Sequence, residues 1–145
     1  MKALPILWKR LVDKGETCPR YGSTERNVRA AVDKLESALQ PLGIYPELET
    51  RAIDEATFRA APAESNRIWI DGKHMEEWLG AQAGNSPCRE VCGDLPCRTM
   101  ALHGQTYEAI PEDLIAKAAV IAASQLIAPG ATTSASSSCS TSCCR

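Results

Sequence analysis

The sequence lacks a surplus of charge of either sign, and it lacks long apolar runs. It contains 16 Lys and Arg residues against 18 Asp and Glu residues, which gives a net charge of −2. Because domains that bind nucleic acid usually carry a basic surplus, we expect no nucleic-acid partner. No apolar stretch reaches the length that crosses a bilayer, so we expect no membrane partner either.

The first residues, MKALPILWKR, lack the small-residue cleavage site that ends a secretory signal. We therefore expect a cytoplasmic protein. The chain has 145 residues, of which 44% are hydrophobic. This length and composition are typical of one globular domain with its own core.

Several motifs of cofactor chemistry are also missing. The sequence has no Gly-rich phosphate loop, no paired-carboxylate site and no Ser-His-Asp arrangement, so we expect no nucleotide or flavin cofactor. Its two histidines, His74 and His103, lie near expected turns, and we predict that both are surface residues rather than catalytic bases.

Cysteine is the residue type that stands out. The chain has seven cysteines, an odd number, in three groups. A secreted disulfide scaffold would more often have an even set in a shorter chain. In a cytosolic chain, clustered cysteines favour metal binding or redox chemistry. The cysteines are Cys18, Cys88, Cys92, Cys97, Cys139, Cys143 and Cys144.

The first third of the chain predicts a strand, a helix and a second strand. The apolar run LPILWKRLV predicts a strand that ends at a turn over residues 13–15. Ser23 or Thr24 is expected to cap a helix that stops at Pro41 and Gly43. Residues 44–53 predict the next strand. The apolar positions of the helix recur at helical spacing: Val28, Ala31, Val32, Leu35, Leu39 and Leu42.

The rest of the chain predicts further short elements. A polar, Ala-rich stretch at residues 55–65 predicts a helical turn. Residues 68–70 predict a strand, residues 71–72 a tight turn and residues 75–79 a helix closed by Gly80. A hairpin is expected to turn at residues 103–104, and a last helix to begin at Pro111. The three tryptophans are expected in the core: Trp8, Trp69 and Trp78.

These elements predict a small α/β sandwich, because a strand–helix–strand unit favours a parallel pair with a right-handed crossover. Residues 84–98 show no periodicity and hold three cysteines, so we expect a cysteine-rich loop there. Residues 129–145 form a Ser/Thr-rich, low-complexity tail that we expect to be disordered.

A cysteine that follows the first strand and opens the first helix resembles the reactive thiol of thioredoxin-like folds. The stretch ESNRIWIDGKHMEEWLG resembles the later strand–turn–strand–helix part of that fold. This resemblance implies an α/β thioredoxin-like sandwich over residues 1–128, with the cysteine-rich insertion at 84–98 and the disordered tail at 129–145.

Residues 4–127 also resemble a prokaryotic family, domain of unknown function 2703. The shared blocks are LPILWKRLV, ETCPRYGST, ESNRIWI, EEWLGA, SPCREVCGDLPCRT and YEAIPEDLI. Where the family pattern reads ETCPRCGST and SPCC, this chain has Tyr21 and Arg89 in place of two cysteines. Thioredoxin-like enzymes also keep a cis-proline before the third strand, whereas this chain has Ser65, Asn66 and Arg67 there. These differences argue against a plain dithiol–disulfide oxidoreductase.

Cys18 is the candidate nucleophile. If a helix starts just after it, the free N–H groups and the dipole at the helix N-terminus favour the thiolate. Tyr21 cannot resolve a mixed disulfide, so Cys18 would act with a distant thiol or as a single-thiol site. The alternative interpretation is a half-buried structural cysteine left over from an ancestral pair.

Cys88, Cys92 and Cys97 are candidate metal ligands with C-x3-C-x4-C spacing. Structural zinc takes four ligands, and the fourth would come from Cys18, His103 or the tail. The three thiolates alone also suit a soft ion such as arsenite. A loop that holds a disulfide or free thiols is the alternative.

Cys139, Cys143 and Cys144 are candidate soft-metal ligands or resolving thiols on the tail. They resemble the C-terminal cysteine arms of mercury-handling flavoenzymes. A flexible tail of this length reaches about 20 Å, enough to visit Cys18 or the loop. The alternative is a tail without a function.

The sequence therefore predicts a thioredoxin-like thiol protein that binds thiophilic metal or metalloid ions, such as arsenite or mercury, or exchanges thiols with a thiol or disulfide partner. A second hypothesis is a thiol–disulfide oxidoreductase in which Cys18 is the nucleophile and a loop or tail cysteine resolves. A third is an interaction module stabilised by zinc or another thiophilic metal, without turnover.

Overall fold

The computed structural model describes residues 1–12, 19–87 and 96–127. At positions 19, 20, 87, 96 and 97 it describes the backbone alone. The strands are β1 (Lys2–Leu11), β2 (Ile44–Ile53), β3 (Arg67–Ile70), β4 (Lys73–His74), β5 (Gln82–Pro87), β6 (Pro96–Leu102) and β7 (Gln105–Tyr107). The helices are α1 (Pro19–Leu39), α2 (Glu55–Ala60), α3 (Met75–Leu79) and α4 (Glu112–Ile127), with 3₁₀ turns at Gln40–Leu42 and Pro62–Glu64.

The described residues form a mixed α/β structure with two sheets. The first has the strand order β2-β1-β3-β4, in which β1 and β2 run parallel and the other neighbours run antiparallel. The second is an antiparallel sheet of β5, β6 and β7. The predicted parallel strand–helix–strand unit is thus confirmed as β1, α1 and β2.

The core forms between the first sheet and the two long helices. Alternate residues of β1 are buried, as expected for a strand with one covered face. α1 and α4 pack against each other, and α4 contributes small alanines that allow a close approach. The buried residues of these elements include Leu4, Ile6, Trp8, Val28, Ala31, Leu35, Ile115, Ala118, Ala119 and Ala122.

The start of α1 differs from the prediction. The helix begins at Pro19, so Ser23 and Thr24 lie inside it and neither caps it. Proline fits the first turn of a helix because its missing N–H has no partner there in any case. Tyr21 and Thr24 are fully buried, and this burial favours the extra turn.

Other local predictions are confirmed. The turn between β3 and β4 has positive φ at Asp71 (51°) and Gly72 (76°), as a tight hairpin turn requires. Gly80 ends α3 in the left-handed conformation with φ 68°. The hairpin between β6 and β7 turns at His103, which is exposed.

Predictions about single side chains are confirmed only in part. Trp8 is fully buried and Trp78, although partly exposed, packs against the core, so the prediction holds for both of them. Trp69 is partly exposed and is not part of the core. Leu42 is 52% exposed because it lies in the 3₁₀ turn beyond the end of α1. His74 is partly exposed and lies edge-on to the Trp69 ring at 5.5 Å between centroids.

The prediction of an irregular loop at residues 84–98 is wrong at both ends of this segment, which belong to β-strands. Residues 84–87 belong to β5 and residues 96–98 to β6, and the two strands pair with each other. β5 is rich in residues that are depleted in strands, so local propensity did not indicate it. Gly84 permits the pairing, since a Cβ there would lie 2.9 Å from the Thr99 hydroxyl.

Three regions lie outside the described residues. They contain the predicted turn at 13–15, the middle of the cysteine-rich loop and the predicted disordered tail. Across the part of the chain that is described, none of the helices combines the length and apolar character needed to cross a membrane.

Candidate functional site

The candidate site lies where β1 ends and α1 begins. Cys18 itself is outside the described residues, but Pro19, the next residue, is the first of α1. The first turn of α1 contains no acidic side chain. The positive end of the helix dipole is therefore not neutralised from within that turn, and it favours an anionic thiolate nearby.

The first two turns of α1 are anchored to the segment before α4. The Thr24 hydroxyl accepts a hydrogen bond from the Ile110 N–H at 3.1 Å. The Asn27 amide donates to the Ile110 carbonyl at 2.9 Å. Tyr21, which stands where the family pattern has its second cysteine, is fully buried. These contacts fix the helix start in the fold.

Two buried polar residues before β3 join the same region. The Ser65 hydroxyl accepts a hydrogen bond from the Leu11 N–H at 3.0 Å, at the last residue of β1. The Asn66 carbonyl oxygen accepts from the Trp8 indole N–H at 3.2 Å, and its amide donates to the Glu108 carbonyl at 3.3 Å. Both side chains are at least 99% buried, so these bonds satisfy groups that would be costly to bury alone.

The backbone directly before β3, at Ser65 and Asn66, differs from that of a cis-proline site. None of the peptide bonds in residues 1–12, 19–87 and 96–127 is cis. Asn66 instead adopts a positive φ of 57°, which asparagine tolerates better than most residues do. The hydrogen bonds to Trp8 and Glu108 hold it there.

The second sheet reaches the same region through Glu108. The Ser86 hydroxyl donates to the Glu108 carboxylate at 3.4 Å. Ser86 pairs in register with Cys97, and Cys88 follows two residues after Ser86. The segment 108–110 therefore contacts α1, Asn66 and the end of β5 that leads into the cysteine-rich loop.

Arg98, the neighbour of Cys97 in β6, holds this strand against α3 and the 3₁₀ turn at Pro62–Glu64. Its guanidinium donates to the Glu76 carboxylate at 2.6 Å and to the Ala63 carbonyl at 3.1 Å. The Arg98 and Glu76 side chains are only 4% and 8% exposed. A buried ion pair of this kind fixes the position of β6, since either charge without the other would be costly.

A half-open cavity of about 250 Å³ lies beside Arg98. Pro62 and Ala63 line it from the first part of the fold, and Gly84 and Asn85 line it from β5. The Arg98 charge is already balanced by Glu76. A ligand in this cavity would therefore contact apolar surface and an arginine whose charge is already paired.

Among the described residues, the two groups with shifted pKa values, Lys34 and Asp54, lie outside this site. A hydrogen bond from Lys34 to Glu112, together with the Glu112 charge, raises the pKa of Lys34 and links α1 to α4. The hydroxyl and the N–H of Thr57 lower the pKa of Asp54, which caps α2.

Few of the predicted site residues can be placed. Cys18, Cys88 and Cys92 lie outside the described residues, as do the tail cysteines Cys139, Cys143 and Cys144. For Cys97 only the backbone is described, as the second residue of β6. Within the described ranges, no three His, Cys, Asp or Glu side chains come together in a metal-binding group.

Of the three alternatives for a fourth ligand, His103 is the one that the strand geometry excludes for a site that includes Cys97. His103 follows the last residue of β6, whereas Cys97 lies near its first residue. Six residues of extended strand separate the two by about 20 Å. One tetrahedral site cannot hold both.

Sequence reasoning missed the polar residues that connect these elements. Five residues make the hydrogen bonds described above, and all of them stand in the blocks shared with the family, but no role was predicted for their side chains: Ser65, Asn66, Glu76, Arg98 and Glu108. One signal was present: Ser65 and Asn66 are polar residues that stand directly before an apolar strand, where the resemblance called for proline.

Comparisons with known proteins identify the family. The family described as Domain of unknown function (DUF2703) matches residues 4–119. A protein from the archaeon Archaeoglobus fulgidus, described as an uncharacterized protein, is 38% identical over 112 residues, which cover 77% of this chain and 82% of that protein. No solved structure matches the chain. The resemblance found in the sequence blocks is therefore confirmed: this chain belongs to the DUF2703 family.

Proposed function

We propose that this protein is a thioredoxin-like thiol protein. It would bind thiophilic metal or metalloid ions such as arsenite or mercury, or exchange thiols, through Cys18 and the clustered cysteines. The observation that carries the proposal is the start of α1 at Pro19. A cysteine directly before a helix start is in the environment that favours a reactive thiolate.

The fold supports the thioredoxin-like part of the proposal. A parallel strand–helix–strand unit is followed by an antiparallel strand pair and a helix, which is the order that the resemblance implies. Ser65 and Asn66 lie before β3 and contact the end of β1. They occupy the place where thioredoxin-like enzymes carry a cis-proline beside the reactive thiol.

The contacts of Glu108 support a site shared by Cys18 and the cysteines of residues 84–98. The residues around Glu108 touch α1 on one side and Ser86 on the other. Cys88 directly follows the last residue of β5, and Cys97 pairs with Ser86. Soft ions prefer several thiolates at once, so a shared site of Cys18 with Cys88, Cys92 or Cys97 suits them. Cys139, Cys143 and Cys144 would add further thiolate ligands from the same chain.

The reactivity of Cys18 can be tested by alkylation. We expect the pKa of its thiol to lie below the ordinary cysteine value of about 8.5. The measurement is the rate of iodoacetamide modification at Cys18 against pH, followed by peptide mass spectrometry so that each cysteine is scored separately. Cys139 on the tail is the internal control and should titrate near the ordinary value. If the alkylation rate of Cys18 reaches its midpoint at the same pH as that of Cys139 or at a higher pH, Cys18 is not an activated nucleophile.

A further inference from the structure

β2 presents a long free edge. It is ten residues long, lies at the end of the strand order β2-β1-β3-β4 and pairs with β1 along its whole length. No other strand of the described ranges pairs with its outer side. Four consecutive residues of its second half, Glu49 to Ala52, are exposed. Free edges of this length are templates for pairing with another strand.

The hydrogen bonds to β1 show which backbone groups face outward. The carbonyl of Ile53 accepts from the Val12 N–H at 3.1 Å, and the carbonyl of Gly43 accepts from the Lys2 N–H at 2.8 Å. Odd-numbered residues of β2 therefore direct their backbone groups toward β1. Because these groups alternate along a strand, the outward ones belong to Leu48, Thr50 and Ala52.

We propose that two copies of this chain pair through β2, antiparallel, about a two-fold axis at Thr50. Thr50 would then pair with its own copy, and Leu48 with Ala52 of the second copy. These three residues have the outward N–H and C=O groups, so the pairing would form about six backbone hydrogen bonds. The two sheets would join into one continuous sheet.

The charges of β2 support this register. Glu49 and Arg51 lie on the same exposed face, where they form an ion pair of 2.7 Å within the strand. With the axis at Thr50, each Glu49 faces Arg51 of the second copy. These would be non-hydrogen-bonded pairs, in which the side chains approach most closely. An isologous interface requires this self-complementarity.

Neighbouring registers are less favourable. An axis at Leu48 or Glu49 sets glutamates against each other, and an axis at Arg51 sets arginines against each other. Pro46, which has no N–H to donate, would oppose a residue beyond the end of β2 and so fall outside the paired segment.

The test is sedimentation equilibrium of the full chain in reducing buffer, so that the cysteines cannot link the copies. We expect a concentration-dependent dimer. Glu49→Arg and Arg51→Glu should each raise the dimer Kd by at least about tenfold, because each sets like charges opposite one another twice. An equimolar mixture of the two variants should dimerise again, since the new arginine at 49 then faces the new glutamate at 51.

Glu36→Arg is the matched control. It makes the same charge change at an exposed position of α1 and should leave the dimer unchanged. Circular dichroism checks that each variant is folded. A wild-type chain that stays monomeric would overturn the proposal. So would a dimer that both single variants leave intact, or variants that fail to associate when mixed.

Discussion

Replacing Arg98 with methionine should lower the free energy of unfolding by about 3–5 kcal/mol. Methionine fills much of the same space but leaves the Glu76 carboxylate buried without its partner. It also removes the hydrogen bond to the Ala63 carbonyl. Urea denaturation followed by circular dichroism in reducing buffer measures the loss.

Two further variants distinguish the stability lost with the buried ion pair from the stability lost with the packing of the Arg98 side chain. Arg59→Met breaks an exposed ion pair with Glu55 and should cost less than about 1 kcal/mol. Adding Glu76→Leu to Arg98→Met removes the orphaned charge and should recover much of the stability. If Arg98→Met costs no more than Arg59→Met, then β6 is not held to the fold by this pair.

Replacing Tyr21 with cysteine should raise the rate of disulfide exchange by at least about tenfold, because a nearby thiol has a millimolar effective concentration. Cys18 would attack a substrate disulfide and form a mixed disulfide, and the new thiol at position 21 would displace the reduced substrate. Dithiothreitol then reduces the resulting 18–21 disulfide. The measurement is insulin reduction in the presence of dithiothreitol.

The same substitution should cost about 3 kcal/mol of stability, because Tyr21 is fully buried and a smaller side chain leaves a cavity. Tyr21→Ala is the matched control: it should lose similar stability and gain no exchange activity. Equal insulin reduction by the cysteine and alanine variants would show that Cys18 does not act as a nucleophile on disulfides.

Much of the first sheet and its helices could be predicted from the sequence because local patterns and burial agree there. The β1 run LPILWKRLV alternates between the covered and open faces, and Asp71-Gly72 has the residues that a tight turn requires. Pro111 marks the start of α4 in the same way. At each of these places the residues of one short segment are sufficient to determine its local structure.

The second sheet and the polar contacts could not be predicted because their causes are distant in sequence. β5 pairs with β6 although Gly84, Asn85 and Ser86 have little preference for strands. The partners of Asn66 are 58 and 42 residues away along the chain. α1 begins early because Tyr21 and Thr24 meet the core, and helix propensity alone does not indicate that burial.

Soft-metal binding by the reduced 145-residue chain is the most direct test of a site built on Cys18 and the clustered cysteines. The measurement is native mass spectrometry during titration with mercuric ions or arsenite, under competition from a small thiol. The variants are Cys18→Ser, Cys92→Ser and a truncation that removes residues 131–145. Thr17→Ser is the control beside Cys18, and circular dichroism checks that every variant keeps its fold.

The wild type and Thr17→Ser are expected to retain the ion under this competition. Cys18→Ser and Cys92→Ser should lose it, and the truncation should weaken retention by about a hundredfold through the loss of tethered ligands. A wild-type protein that retains no ion, or a Cys18→Ser variant that retains it as well as the wild type, would contradict a soft-metal site built on Cys18.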